Sequence, residues 1–293
     1  MVVFRLGRVS NLPPVWTSCI AGALLSGNFL FDQRIFLLIV AMSLLYIAGM
    51  FLNDAFDHVF DTKERPYRPI PSGQASVFSV AIWGGLLMLL GLLILFLSPD
   101  LPTEKDKVII SLNKNISAIC LCLLILLYNW KHKGNPLSPY IMGMCRGMLC
   151  ITAGSMYSSV LNIELMFGAT IIFLWAIGLT FLAKQETLDR VDKYWPILFL
   201  VTPIFYGIAI AEVSSSYVVC ILLILITLVI VSTIYILRSD KPGRVGLVVS
   251  ILIASFSLLD GLLIAISGFE ILAVFVAMTM VLTLILQKHV PGT

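Results

Sequence analysis

The feature that most constrains this chain is a succession of long apolar runs separated by short polar segments. A helix needs roughly 20 apolar residues to cross about 30 Å of hydrocarbon, and it satisfies its own backbone groups in lipid. The runs therefore predict an all-α polytopic transmembrane bundle of nine to ten spans, forming a single domain over residues 1–293. They cover residues 12–31, 35–53, 77–98, 110–130, 137–160, 165–183, 195–211, 217–237, 245–266 and 269–287.

The composition agrees with a membrane protein. Hydrophobic residues make up 59% of the chain and charged residues 12%, whereas soluble domains carry about 45–50% apolar and about 25% charged residues. Such a chain cannot cover its surface with polar groups, so the lipid bilayer is its first expected partner. A net charge of +3 without a basic patch argues against binding of nucleic acid.

The positions of lysine and arginine predict an orientation. If every run spans and the N-terminus is cytoplasmic, most basic residues fall on the cytoplasmic side, as the positive-inside rule requires. This places both termini and the loops 57–75 and 184–194 in the cytoplasm, in a bacterial inner membrane or an equivalent one. The opposite side holds Arg34, Lys105, Lys107 and Lys114.

An acidic motif closes the second run. Asp54, Asp57 and Asp61 are spaced i, i+3, i+7, so they share one face of a helix and repel one another unless a cation intervenes. Carboxylates suit Mg²⁺, which commonly binds through one or two of them plus substrate phosphates. Arg65 and Arg68 follow, and the planar arginine fork matches phosphate. The pattern favours a metal–diphosphate site at the membrane interface over an ordinary solvated loop.

This motif resembles the first signature of the UbiA superfamily of intramembrane prenyltransferases, in the order Asn53-Asp54-xx-Asp57-xxx-Asp61 and Arg65-Pro66-x-Arg68-Pro69-Ile70-Pro71-Ser72-Gly73. The resemblance implies a helical bundle with a central cavity. It also implies Mg²⁺-dependent transfer of a prenyl group from a prenyl diphosphate to a lipophilic or aromatic acceptor. It assigns Asp54, Asp57 and Asp61 to the metal and to catalysis. It assigns Asn53, Arg65 and Arg68 to the diphosphate neighbourhood.

Two later segments resemble other parts of the family's site. Tyr128 and Lys131 match a Tyr-xx-Lys segment in which the lysine would bind phosphate, although positive-inside topology alone also explains a lysine there. The second acidic motif belongs after the sixth run, where the candidates for substrate binding are Lys184, Glu186, Asp189 and Asp192. Its spacing departs from the usual pattern, and together with Leu259-Asp260-Gly261 it resembles the EboC-like branch of the superfamily.

Two further charges, Arg146 and Asp260, lie inside apolar runs. Charges at membrane depth usually line a cavity or pair with each other, and the sequence leaves both interpretations open.

The sequence also leaves two functions open. An intact first motif favours an enzyme, in which electrostatic stabilisation of the leaving diphosphate supplies most of the catalysis. The altered second motif favours a membrane carrier or scaffold for isoprenoid or secondary-metabolite precursors.

Overall fold

The computed structural model describes residues 2–99, 107–185, 193–211, 216–239 and 242–290, and the regular structure within these ranges is helical. A 3₁₀ turn at Val9–Asn11 separates the first two α-helices. The α-helices are α1 (Val2–Leu6), α2 (Pro13–Leu25), α3 (Gln33–Phe56), α4 (His58–Glu64), α5 (Val77–Leu97), α6 (Lys107–Lys131), α7 (Ser138–Ser155), α8 (Ile163–Ala183), α9 (Ile197–Leu200), α10 (Thr202–Ala211), α11 (Tyr217–Arg238), α12 (Arg244–Ala254), α13 (Phe256–Ile266) and α14 (Glu270–His289).

Within the described ranges, seven helical segments are long and apolar enough to cross a membrane. They are α3, α5, α6, α8, α11, the α12–α13 segment and α14. The apolar runs therefore predicted a multi-pass helical membrane protein correctly, and the structure does not confirm a count of nine to ten. The three remaining runs correspond to the short helix α2, the helix α7, which carries Arg146, and the broken pair α9–α10.

The helices form two halves that share α2. One buried cluster joins α3, α5, α6 and α7, and another joins α8, α9 and α11 to α14, with partly buried residues of α10 packed against it. Ala21, Leu24 and Leu25 of α2 belong to the second cluster, whereas Val15, Cys19 and Ala23 belong to the first. Helix α2 is buried on nearly every face for this reason. The two halves therefore pack on a common central helix and leave space between them.

Candidate active site

The acidic motif lies where α3 ends and α4 begins. Asp57 occupies the single position between the two helices, and its backbone N–H still donates to the carbonyl of Asn53 at 2.9 Å. The N–H of Asp61 donates to the carbonyl of Asp57 at 2.8 Å, so the helical path continues through the junction. Asp54, Asp57 and Asp61 are all buried, with relative exposures of 5%, 5% and 1%.

Arg68 joins two of these acids. Its Nη1 atom donates to Oδ2 of Asp61 at 2.8 Å and to Oδ1 of Asp54 at 3.3 Å. Arg68 reaches them because the chain leaves α4 at Glu64 and folds back through a series of turns rich in proline. These prolines fix φ and limit the conformations of the residues before them. The two halves of the sequence motif thus meet as one ion-paired cluster.

Arg8 completes the cluster around Asp54. Its Nη2 atom lies 3.2 Å from Oδ1 of Asp54 and 3.4 Å from Oδ1 of Asn53. Arg8 has φ 41° and ψ 48° and is, among the described residues, the one non-glycine residue with positive φ. A non-glycine residue in this region is uncommon and strained. Such strain is frequently found at functional sites, which agrees with the position of Arg8.

Asp57 faces two other side chains, His132 and Lys133, which follow the end of α6. Its Oδ2 atom lies 3.2 Å from Nε2 of His132 and 3.2 Å from Nζ of Lys133. Burial alone would raise the pKa of Asp57, but the hydrogen bond from His132 and the charge of Lys133 bring that pKa below its ordinary value. Asp57 is therefore held as a carboxylate, since a lowered pKa keeps the ionised form at neutral pH.

An amide pair locks α3 to α6 beside the acids. Asn53 Nδ2 donates to Oδ1 of Asn129 at 3.1 Å, and Asn129 Nδ2 donates to the carbonyl of Gly49 at 3.1 Å. Both asparagines are buried, and buried amides are costly unless their hydrogen bonds are made. This pair therefore fixes the position of the acidic motif relative to His132 and Lys133.

A cavity of about 550 Å³ extends from this cluster into the space between the two halves. Its polar end is lined by Arg8, Asp57, Arg65, Arg68, Lys133 and Lys184, and its body by apolar residues such as Met42, Leu45, Ile125, Leu149, Val249 and Ile253. One end thus concentrates positive charge, and the rest can hold a hydrocarbon chain. Ligand sites commonly combine an apolar pocket with a few convergent polar groups.

Lys184 brings the second half of the bundle to the polar end. Its ammonium donates to Oγ of Ser138 at 2.9 Å and to the carbonyl of Asn135, which ties the end of α8 to the start of α7. Burial lowers the pKa of Lys184 from its ordinary value. The loop between α6 and α7 turns at Gly134, whose φ of +68° favours glycine.

Some of the predicted site residues line the cavity and others do not. Asn53, Arg65, Arg68, Tyr128 and Lys184 line the cavity together with Asp57, and Asp54 and Asp61 lie behind Arg68. Lys131 does not line the cavity, because its ammonium lies over the ring of Trp130 at 4.4 Å. Three other predicted positions, Glu186, Asp189 and Asp192, lie outside the described residues.

Several residues of the site were missed by the sequence reasoning. Arg8, Asn129, His132 and Lys133 line the cavity, and the ring of His132 stacks on Tyr128 with centroids 5.0 Å apart. The basic segment at the end of α6 was a signal for His132 and Lys133, but the family resemblance assigned the phosphate-binding role to Lys131. Arg8 lies 45 residues before Asn53 in the sequence, so no local spacing connects it with the acidic motif.

The acidic cluster has the chemistry for a hard cation. Oδ2 of Asp54, Oδ1 of Asp57 and Oδ1 of Asp61 have no hydrogen-bond partner within the described ranges. No three His, Cys, Asp or Glu side chains in those ranges form a metal-holding group by themselves. The residues present therefore fit an ion that takes one or two carboxylates and completes its shell with phosphate oxygens, as Mg²⁺ does.

Comparison with known families identifies the chain. The model of the UbiA prenyltransferase family matches residues 15–264, and the chain belongs to this family. It is a multi-pass membrane prenyltransferase, which transfers prenyl groups from a prenyl diphosphate. The carrier reading is not favoured, because the curated relatives are named as synthases. The EboC-like branch is not confirmed.

Two curated relatives and two solved structures show how far the similarity extends. Digeranylgeranylglyceryl phosphate synthase of Methanococcus aeolicus is 30% identical over 75% of this chain and 74% of that protein. The synthase of the same name from Methanocaldococcus jannaschii is 26% identical over 69% and 66%. The chain thus spans about two thirds to three quarters of these relatives.

The structural neighbours share the fold. A structure described as digeranylgeranylglyceryl phosphate synthase in membranes has a TM-score of 0.60 at 20% identity, covering 92% of this chain and 98% of its own. A UbiA homologue from Archaeoglobus fulgidus bound to DMAPP and Mg²⁺ has a TM-score of 0.58 at 14% identity, covering 92% and 99%.

Proposed function

We propose that this chain transfers a prenyl group from a prenyl diphosphate to a hydroxyl of a glyceryl phosphate lipid, with Mg²⁺ as cofactor. The observation that carries the proposal is the group of five cationic side chains, with Asp57, at one end of an apolar cavity. The names of the curated relatives support a glyceryl phosphate as acceptor in place of the aromatic acceptor considered from the sequence.

The reaction breaks the C–O bond between the allylic carbon and the diphosphate, and it forms an ether bond to the acceptor oxygen. The hydroxyl gives its proton to water or to the released diphosphate as the ether bond forms, and the diphosphate leaves with the electron pair of the broken C–O bond. Arg8, Arg65, Arg68, Lys133 and Lys184 would face the negative charge that grows on the leaving group. Such preorganised charge is often the largest contribution to catalysis.

The carboxylates have a supporting role in this proposal. Asp54 and Asp57 would hold Mg²⁺ together with diphosphate oxygens, and Mg²⁺ when bound would supply further charge stabilisation for the leaving group. Asp61 stays in the proposed metal and catalytic set, and its contact with Arg68 also orients that side chain. The apolar body of the cavity would hold the prenyl chain and exclude water from the reacting carbon.

The test is a transfer assay on the purified protein in lipid nanodiscs. Labelled geranylgeranyl diphosphate and a geranylgeranylglyceryl phosphate acceptor are supplied with Mg²⁺ or with EDTA, and labelled lipid and free diphosphate are measured separately. We expect product only with Mg²⁺. We expect Asp57→Asn to lower kcat by about 100-fold, in the range found when a group that stabilises the transition state is removed.

The matched control is Asp32→Asn, which removes a carboxylate at the other end of the same helix. Asp32 caps α3 and pairs with Arg34. Asparagine caps a helix as well as aspartate does, so the substitution keeps the cap, weakens only the pairing with Arg34, and leaves the activity of the folded protein unchanged. Wild-type protein that binds the diphosphate tightly with Mg²⁺, yet forms no product with any acceptor, would overturn the proposal.

The finer topology is also a proposal. If α2, α7 and the pair α9–α10 span together with the seven longer segments, the chain crosses the membrane ten times and the site faces the cytoplasm. In a background without the six native cysteines, Lys63→Cys should react with an impermeant thiol reagent only after cells are opened. Val160→Cys, exposed in the loop between α7 and α8, should react in intact cells. The reverse labelling pattern would refute this orientation.

A further inference from the structure

Arg146 is a charged side chain of the cavity that makes no hydrogen bond or ion pair within the described part of the protein. It lies on α7, lines the cavity, and has its Cζ atom 4.6 Å from the ring centroid of Phe256. Its Nη1 atom is inaccessible to solvent and makes no hydrogen bond. Arg146 forms no other hydrogen bond or ion pair within the described residues, so its guanidinium is held only by its stem and by the ring of Phe256.

This arrangement is costly without a ligand. A charge in a low-dielectric interior is stabilised only when it is paired and hydrogen-bonded, and charges at membrane depth usually line substrate pathways. A cation–π contact contributes about 0.5–2 kcal/mol, much less than the several kcal/mol that desolvation of an ion costs. Arg146 therefore lacks the anion that such a site requires.

Asp260 does not supply that anion directly. Its Oδ2 atom accepts hydrogen bonds from the hydroxyls of Thr17 and Ser18 at 2.6 Å and 2.9 Å. Asp260 is fully buried between α13 and α2, it does not line the cavity, and it forms no ion pair with Arg146. The two opposite charges thus attract each other at a distance without forming an ion pair, and of the two only Arg146 borders the space that a ligand can enter.

The depth of Arg146 separates it from the diphosphate end. Ser138, which contacts Lys184 at the polar end, lies eight residues before Arg146 on the same helix, so the two differ in height by about 12 Å. Reacting atoms meet at about 3–3.5 Å in a productive complex. The reacting carbon and part of an acceptor therefore fit between the cationic cluster and Arg146. A nucleophile that attacks from the side opposite the leaving group would come from this deeper space.

We propose that Arg146 binds an anionic group of the acceptor, either a phosphate or a carboxylate. This inference rests on the proposed function, because it uses the position of the diphosphate to define the acceptor space. The planar guanidinium offers paired donors to the oxygens of either group. The side chain would then select acceptors that carry a negative charge a few bonds from the attacking hydroxyl.

The experiment measures equilibrium binding without prenyl diphosphate or Mg²⁺, so it does not depend on turnover. Three probes share one geranylgeranyl chain and differ in the glyceryl head: a phosphate, a carboxylate and an uncharged diol. Wild-type protein in nanodiscs should bind at least one anionic probe about 10- to 100-fold more tightly than the diol, as expected for a charge-assisted hydrogen bond. Arg146→Gln should remove this preference and leave the diol affinity unchanged.

Two further variants make the result specific. Arg146→Lys keeps the charge and should retain part of the preference. Arg238→Gln removes an exposed arginine at the end of α11 and should retain all of it, which controls for attraction of anions to the membrane surface. Correct folding of each variant is checked by its unchanged affinity for geranylgeranyl diphosphate with Mg²⁺.

The outcomes separate this inference from the proposed function. An unchanged anion preference in Arg146→Gln overturns the inference, even if transfer to the glyceryl phosphate is observed. A preference that depends on Arg146 supports the anion subsite, even if no transfer product forms. The anionic probe that binds more tightly identifies the anionic group of the acceptor. If both anionic probes bind equally and lose the same affinity in Arg146→Gln, the result supports a general anion subsite.

Discussion

Replacement of Arg68 by glutamine is expected to lower kcat/KM for prenyl transfer by about 1,000-fold, the largest activity effect we expect from a single substitution in this site. Arg68 Nη1 contacts both Asp54 and Asp61, and the three side chains are 11%, 7% and 1% exposed. Removing the cation leaves two buried carboxylates without this partner, which also lowers the free energy of unfolding by about 3–5 kcal/mol. Transfer assays and thermal unfolding of the purified protein measure the two effects.

Two variants test this explanation. Arg68→Lys keeps a charge near the carboxylates and should recover part of both losses. Lys63→Gln removes an exposed cation from the adjacent helix α4 and should change neither quantity. Equal activity losses in Arg68→Gln and Lys63→Gln would mean that net charge, and not the contacts of Arg68, governs the site.

Gly22→Ala is expected to cause the largest loss of stability among substitutions that add one carbon atom. A Cβ atom at Gly22 would lie 2.4 Å from the carbonyl oxygen of Cys150 and 2.9 Å from Cβ of Ala153, so α2 and α7 would have to separate. Small residues permit this close approach of helices in membranes. Overpacking of a tight contact costs about 1–3 kcal/mol or more, and the loss here should lie at the upper end because backbone atoms are involved.

Gly85→Ala is the matched control for this prediction. Gly85 also lies within a helix, on α5, but apart from the adjacent residues and the nearby backbone of its own helix no atom lies within 4 Å of its added Cβ atom. Alanine is favoured over glycine in helices by about 1 kcal/mol, so Gly85→Ala should leave the unfolding temperature unchanged or raise it slightly. Equal destabilisation of the two variants would show that the crossing of α2 and α7 is not the cause.

The helices were largely predictable, because the apolar runs record the thickness of the bilayer directly. The positions at which these helices are interrupted were not predictable. The run at residues 245–266 breaks at Ser255 into α12 and α13, and the run at 12–31 contains a helix only from Pro13 to Leu25. These breaks depend on packing between the two halves of the bundle, and a hydropathy pattern along one segment contains no information about its neighbours.

The acidic motif and its arginines were predictable because their spacing is local. The contribution of α6 was harder to predict, since Lys131, His132 and Lys133 are adjacent and carry similar chemistry. Lys131 is the last residue of the helix and lies over Trp130, whereas His132 and Lys133 follow the helix end and turn toward Asp57. Which residue reaches the cavity depends on where the helix ends, and one residue of difference changes the direction of the side chain. The position of Arg8 in the site could not be predicted, because it depends on the long-range approach of α1 to α3, which no local spacing reveals.

The ion pairs around the acidic motif affect how the site binds a diphosphate substrate. With no substrate bound, Asp54 and Asp61 hold Arg8 and Arg68, and Asp57 holds Lys133. An incoming diphosphate would have to compete with these carboxylates for the same cations. In the proposed function the carboxylates would exchange partners: they keep the cations oriented between turnovers, and when Asp54 and Asp57 bind Mg²⁺ they would release Arg8 and Lys133 to the diphosphate.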